Sequence, residues 1–201
     1  MTSYFLADYV AIAALGILSL AQWIRRDFFS ARRMRSIAVL LFIAIAGTLA
    51  YYSYRQFSAW RVSEVMRYAL PPYQSWAYFL GYIVGRFWAW YLISAALAFI
   101  FFGIAVYANR RSANRFFYPE EPYFLLLGIF LVNHPLWILY SAAALLFYLG
   151  ASALHRLRSR GAAEKRFSFY YGWLPTALII ILAKPYLLAI PFIEQLIVAK
   201  P

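Results

Sequence analysis

Long apolar runs separated by short arginine clusters set the pattern of this chain. The first run covers residues 4–24 and ends on Arg25, Arg26, Asp27, Arg32, Arg33 and Arg35. About 20 apolar residues cross a bilayer core roughly 30 Å thick, so the run reads as a membrane-crossing helix. No basic segment precedes it and a strongly basic one follows it, unlike a secretory signal. A second run at residues 36–54 returns across the bilayer. Residues 55–75 are amphipathic: Trp60, Tyr68, Arg61, Glu64 and Arg67 precede Pro71 and Pro72. They predict a helix lying on the outer leaflet. The run at residues 76–107 is too long for one perpendicular crossing. Arg86 divides it, snorkelling at the outer interface, which leaves residues 87–107 to cross.

A second polar loop holds Arg110, Arg111, Arg115, Glu120 and Glu121, with Pro119 and Pro122 around the glutamates. The next apolar region breaks at Asn133, His134 and Pro135. Before the break, residues 123–132 make an arm of about 15 Å as a helix, half a bilayer. After it, residues 136–154 make a full crossing. A third basic loop runs from His155 and Arg156 to Arg166. Both flanks of residues 123–154 are basic, so a hairpin turning at Asn133 keeps them on one side. The last apolar stretch, residues 168–198, contains Pro175, Pro185 and Pro191; proline kinks membrane helices.

Basic loops stay cytoplasmic. The pattern therefore predicts an all-α, polytopic transmembrane bundle of about six crossings, with a short hairpin arm and an outer interfacial helix. It forms one integral domain over residues 1–201. Both termini lie outside the cell's inner (plasma) membrane, and the arginine loops lie inside.

Composition agrees with a lipid solvent. Of 201 residues, 65% are hydrophobic and 13% charged, against about a quarter charged in soluble domains. The net charge of +12 is expected to meet anionic headgroups rather than nucleic acid, through Arg25, Arg26, Arg32, Arg33, Arg35 and Arg86. Aromatic residues make up 21%, which suits interfacial belts. With no cysteine, thiolate chemistry and Cys-based metal sites are excluded.

Candidate chemistry is sparse. The acids are Asp8, Asp27, Glu64, Glu120, Glu121, Glu164 and Glu194, and the histidines are His134 and His155. No HExxH, GxSxG or phosphate-loop pattern occurs, and no metal site or cofactor is predicted. Asp27 and Glu120 or Glu121 lie on the same predicted face and could form a proton-sharing carboxylate pair. Alternatively, Asp27 balances its arginine neighbours and the glutamates cap a helix N-terminus. Asn133 and His134 either build a polar turn or present a ligand. Asp8 lies near the outer end of its helix, where solvation is available. Lys184 either sits at a helix break near the outer interface or pairs internally, and Glu194 is too distant for a one-turn pair.

Over about 80 residues the C-terminal half resembles the type IV prepilin peptidases, membrane aspartyl peptidases. The resemblance rests on Tyr118, Pro119, Glu120 and Glu121, then Leu127 and Gly128, the Asn133 turn, a long helix to Leu154, a basic loop, and Gly172, Trp173, Leu174 and Pro175. The family's GxGD signature is absent: Glu120 stands at its aspartate, and Phe117 and Pro119 at its glycines. The resemblance implies peptidase activity with Asp27 and Glu120 as the carboxylates. Three functional readings follow. The leading one is a non-catalytic subunit packing with partner membrane proteins or lipids through small-residue stretches at 141–144 and 150–153. The second is a divergent peptidase. The third is a transporter or lipid-handling protein, suggested by the breaks at Asn133 and at Lys184 with Pro185.

Overall fold

The computed structural model describes residues 5–25, 28–112, 117–158 and 169–195, and these are all-helical or irregular, with no strand among them. Helix α1 spans Leu6–Ile24. Its buried residues, Ala7, Asp8, Ala11, Leu15, Leu18, Ser19 and Gln22, recur at helical spacing and form one stripe. Helix α2 spans Ala31–Val62, and the Ser30 side chain caps it by accepting from the Arg33 N–H at 3.3 Å. It runs past the expected boundary at Tyr54, so residues 55–62 are its last two turns and not a separate surface helix. No proline interrupts it before Pro71, and straight-chain and aromatic residues carry the helix on. After it, a single 3-10 turn, Met66–Ala69, is pinned by a satellite cluster of Trp60, Leu70, Phe79 and Ile83.

The division expected at Arg86 is a change of winding, not a break. Helix α3 (Trp76–Ile83) passes through a π-helical turn, Val84–Trp88, into α4 (Ala89–Arg111). The continuous rod, Trp76–Arg111, has 36 residues and is about 54 Å long.

Helix α5, Glu121–Val132, is the short arm of the sequence pattern, yet it sits at the centre of the molecule. Ten of its twelve residues are buried, all but Tyr123 and Leu125. It packs against α1, α2, α4, α6 (Trp137–Arg158) and α7 (Trp173–Leu182). Gly128 makes the α6 contact possible: a Cβ there would collide with the Tyr140 ring. A helix apolar all round is a core helix.

The final stretch is not one helix. Pro185 has no N–H for the carbonyl four residues back, and α7 stops at Leu182; α8 (Lys184–Leu187) and α9 (Pro191–Gln195) follow as short pieces. Pro175 is tolerated because it lies in the first turn of α7, where backbone N–H groups have no intrahelical partner.

Three helices are long and apolar enough to cross a membrane: α1, α2 and the α3–α4 rod. Large apolar side chains face outward on each, including Ile17 and Leu20, Leu40 and Ile43, and Ile100 and Ile104. An apolar exterior of this extent suits lipid and not water. The core beneath is largely aromatic: Phe29, Phe124 and Tyr170 meet edge to face near one end, and Phe42 stacks on Phe130 near the middle.

Candidate functional site

Three helices and a break deliver polar side chains to one end of the bundle. Asp8 lies in the first turn of α1, where its Oδ2 accepts the Phe5 N–H at 2.9 Å and so caps its own helix. That contact fixes the carboxylate against the backbone and leaves Oδ1 facing inward. Asn133 ends α5 with φ of 60°, a left-handed conformation that asparagine tolerates better than most residues. Its Nδ2 donates to Asp8 Oδ1 at 3.3 Å. Tyr91, on the first turn of α4, donates its hydroxyl to the same oxygen at 3.5 Å. Lys184, at the break between α7 and α8, completes the set with Nζ 2.6 Å from Asp8 Oδ1. The ammonium also lies 5.9 Å from the centroid of the Trp90 ring, within cation–π range.

This ion pair is deeply enclosed: Asp8 is 1% exposed and Lys184 6%. Removing two charges from water costs several kcal/mol per ion, and attraction offsets this only with good geometry and further hydrogen bonds. Asn133 and Tyr91 supply those bonds. The pair ties the first helix to the last segment, 176 residues apart in the chain.

The polar cluster opens on a cavity of about 520 Å³, within the range of pockets that enclose a small ligand. Leu49 and Tyr52 of α2, Phe87 and Trp90, and the glycines Gly81 and Gly85 make much of its wall. Arg86, in the π-helical turn, also lines it. Arg86 is exposed, as a snorkelling arginine would be, and it also borders a concave site. π-Helical turns often mark functional positions.

The other expected site residues fall elsewhere. Asp27 and Arg26 lie outside the described residues. Glu120 stands at the N-terminal boundary of α5, and Glu121 in its first turn, where Glu121 Oε2 accepts the Tyr118 N–H at 3.1 Å and closes the entering turn. This is the end of the molecule opposite the Asp8 cluster. There Asn109 clamps Phe117 through both its backbone N–H and carbonyl, and Gln22 Nε2 donates to the Tyr170 carbonyl at 2.5 Å. Arg25, Arg32, Arg33 and Arg35 are exposed at that same end, and Arg33 reaches back to the Phe28 carbonyl at 3.2 Å. His134 is half-buried in the turn after α5 and is not part of the cavity wall. Among the described residues no three His, Asp or Glu side chains gather as a metal site would require.

Asn133 and Lys184 are thus brought together, with Arg86 on the same cavity wall, by Asp8, which was placed at the outer helix end where solvation is available and is instead buried. A signal for it was present. A lysine within an apolar stretch needs an acid, and helix alternation returns the chain near Lys184 to the side on which Asp8 begins it. Tyr91 and Tyr52 carried no such signal among 18 tyrosines. No family model matches the chain, and no curated protein or solved structure matches it either.

Proposed function

We propose that the protein is a membrane-embedded ligand-handling protein, a transporter or lipid-binding protein, with the Asp8–Lys184 cavity as its binding site. One observation carries this reading: a buried, hydrogen-bonded ion pair forms the polar wall of a cavity of about 520 Å³. Ionisable groups within membrane segments mark ligand or ion pathways by default. The site also stands where helices are interrupted, at the end of α5 and between α7 and α8, as binding sites in transporters do. For packing alone, apolar side chains of similar volume would serve as well or better than an ion pair.

The packing-subunit reading draws on the apolar outer faces of the helices, which lipid chains cover as well as a partner helix would. The peptidase reading gains nothing from Glu121, whose carboxylate closes a turn. For the orientation, we place the chain in the inner membrane as a multi-pass protein, with Arg32, Arg33, Arg35, Arg110 and Arg111 toward the cytoplasm. The cavity then opens near the outer side.

Filling the cavity tests the function. Gly81 lines the cavity and a Cβ there meets nothing within 4 Å, so Gly81→Leu adds bulk at the wall without a clash at the Cβ and is expected to narrow the void. Purified from membranes under mild detergent, the native chain is expected to retain a small molecule in stoichiometric amount by native mass spectrometry, and Gly81→Leu to lose it. Equal retention by both, or none by either, would sink the proposal.

A further inference from the structure

The cavity wall carries an unbalanced charge. Its charged side chains are one carboxylate, Asp8, and two cations, Lys184 and Arg86. Asp8 and Lys184 neutralise each other in direct contact. Among the described residues Arg86 makes no hydrogen bond or ion pair, so one positive charge remains. Hydrogen-bonding capacity points the same way. An ammonium has three N–H donors; that of Lys184, nine-tenths buried, gives one to Asp8 and none to any other described residue. Asp8 has little left to offer, since its oxygens already accept from Lys184, Asn133, Tyr91 and the Phe5 N–H. The unused capacity of the charged groups is therefore almost all donor and positive.

Beside the hydroxyl-bearing Tyr52, Tyr82 and Tyr91 and the amide of Asn133, the rest of the wall is apolar. Leu49, Phe87 and Trp90 face the void, and Gly81 and Gly85, one helical turn apart, leave a bare strip of backbone. A Cβ at either glycine would meet open space. A free inorganic anion would satisfy the cations and leave this apolar wall uncovered. A cationic ligand would have to displace Lys184 from Asp8 and lie beside Arg86.

Resting on the ligand-handling reading, we infer that the ligand is an anionic amphiphile. Its single carboxylate or phosphate head is held by Lys184 and Arg86, and its apolar body lies along Leu49, Phe87 and the glycine strip. Charge complementarity of this kind sets which partner is accepted. Asp8 positions the ammonium and, by neutralising it, keeps the site selective for one negative charge.

Photo-crosslinking of the full chain in nanodiscs of zwitterionic lipid tests this. The probes are a diazirine-bearing hexadecanoic acid, a diazirine-bearing phosphatidylglycerol, and the hexadecyl alcohol and amine with the same diazirine. At least one anionic probe should label the segments around residues 49–52 or 81–87, more strongly than the alcohol or amine. Labelling by the acid alone identifies a fatty-acid-like carboxylate, labelling by phosphatidylglycerol alone a phosphodiester headgroup, and either supports the inference. Arg86→Gln should weaken the anionic probe roughly tenfold, with the alcohol unchanged, and Arg86→Lys should restore much of the loss. Equal labelling by acid and alcohol, untouched by Arg86→Gln, would overturn the charge assignment and leave the cavity reading standing. Complete competition by acetate or inorganic phosphate at the probe's own concentration would overturn the amphiphile. Absence of cavity labelling by every probe, or labelling undiminished in Gly81→Leu, would remove both readings.

Discussion

Asp8 stands in an apolar helix, and its carboxylate is held by four donors drawn from four parts of the chain. Breaking a buried pair by deleting one partner leaves the other charge uncompensated, at a cost of about 3–5 kcal/mol. Asp8→Ala is therefore expected to lower unfolding stability by that order, and Lys184→Met similarly. The double variant Asp8→Leu/Lys184→Met should recover most of the loss while losing ligand selectivity. Denaturant titrations of the four proteins in detergent measure the coupling, and additive losses would contradict it. This pair was half legible in the sequence. Lys184 announced its need for an acid, but the acid in its own segment is the distant Glu194. A contact spanning 176 positions is visible only when helix directions are considered together. Arg86 was legible as an anomaly, and its role depended on a π-helical turn that hydrophobic spacing does not report.

Among elements, α5 departs furthest from its pattern. Its 12 residues are too few to span a bilayer, which reads naturally as a shallow arm. Depth is a tertiary property, and it follows from apolar residues on every face together with Gly128, which admits Tyr140 against the backbone. Gly128→Ala is expected to force repacking and cost about 1–3 kcal/mol, seen as a lower melting temperature. Gly103→Ala in α4, where a Cβ meets nothing within 4 Å, should be neutral or stabilising by up to about 1 kcal/mol. Equal effects at the two sites would show that α5 is not tightly packed. The extension of α2 through residues 55–62 was hidden by charge, since Arg55 and Arg61 mimic a boundary that no proline or glycine enforces. In the last segment the prolines were correctly legible as interruptions, though the kinked single helix they suggested is a series of short helices.

At the scale of the molecule, the two ends do different work. One gathers exposed arginines around an aromatic seam, and the other holds the cavity. If the arginine-rich end faces the cytoplasm, labels applied from that side should reach Ser30→Cys and Ser112→Cys but not Ser63→Cys. The absence of native cysteine makes each such single-site measurement clean, and the reverse pattern would invert the orientation. The apolar exterior was the most legible property of all, because each long helix is apolar on its outward face as well as its buried one. The bond between the first and last segments also has a consequence in time. A ribosome adds about 5–20 residues per second, so the 176 positions between Asp8 and Lys184 represent roughly 9–35 s of synthesis. Throughout that interval Asp8 has no lysine to meet, and the nascent first helix carries a lone carboxylate. The arrival of Lys184 is what ends this exposure, so a product truncated before it keeps an unmatched acid in its first helix.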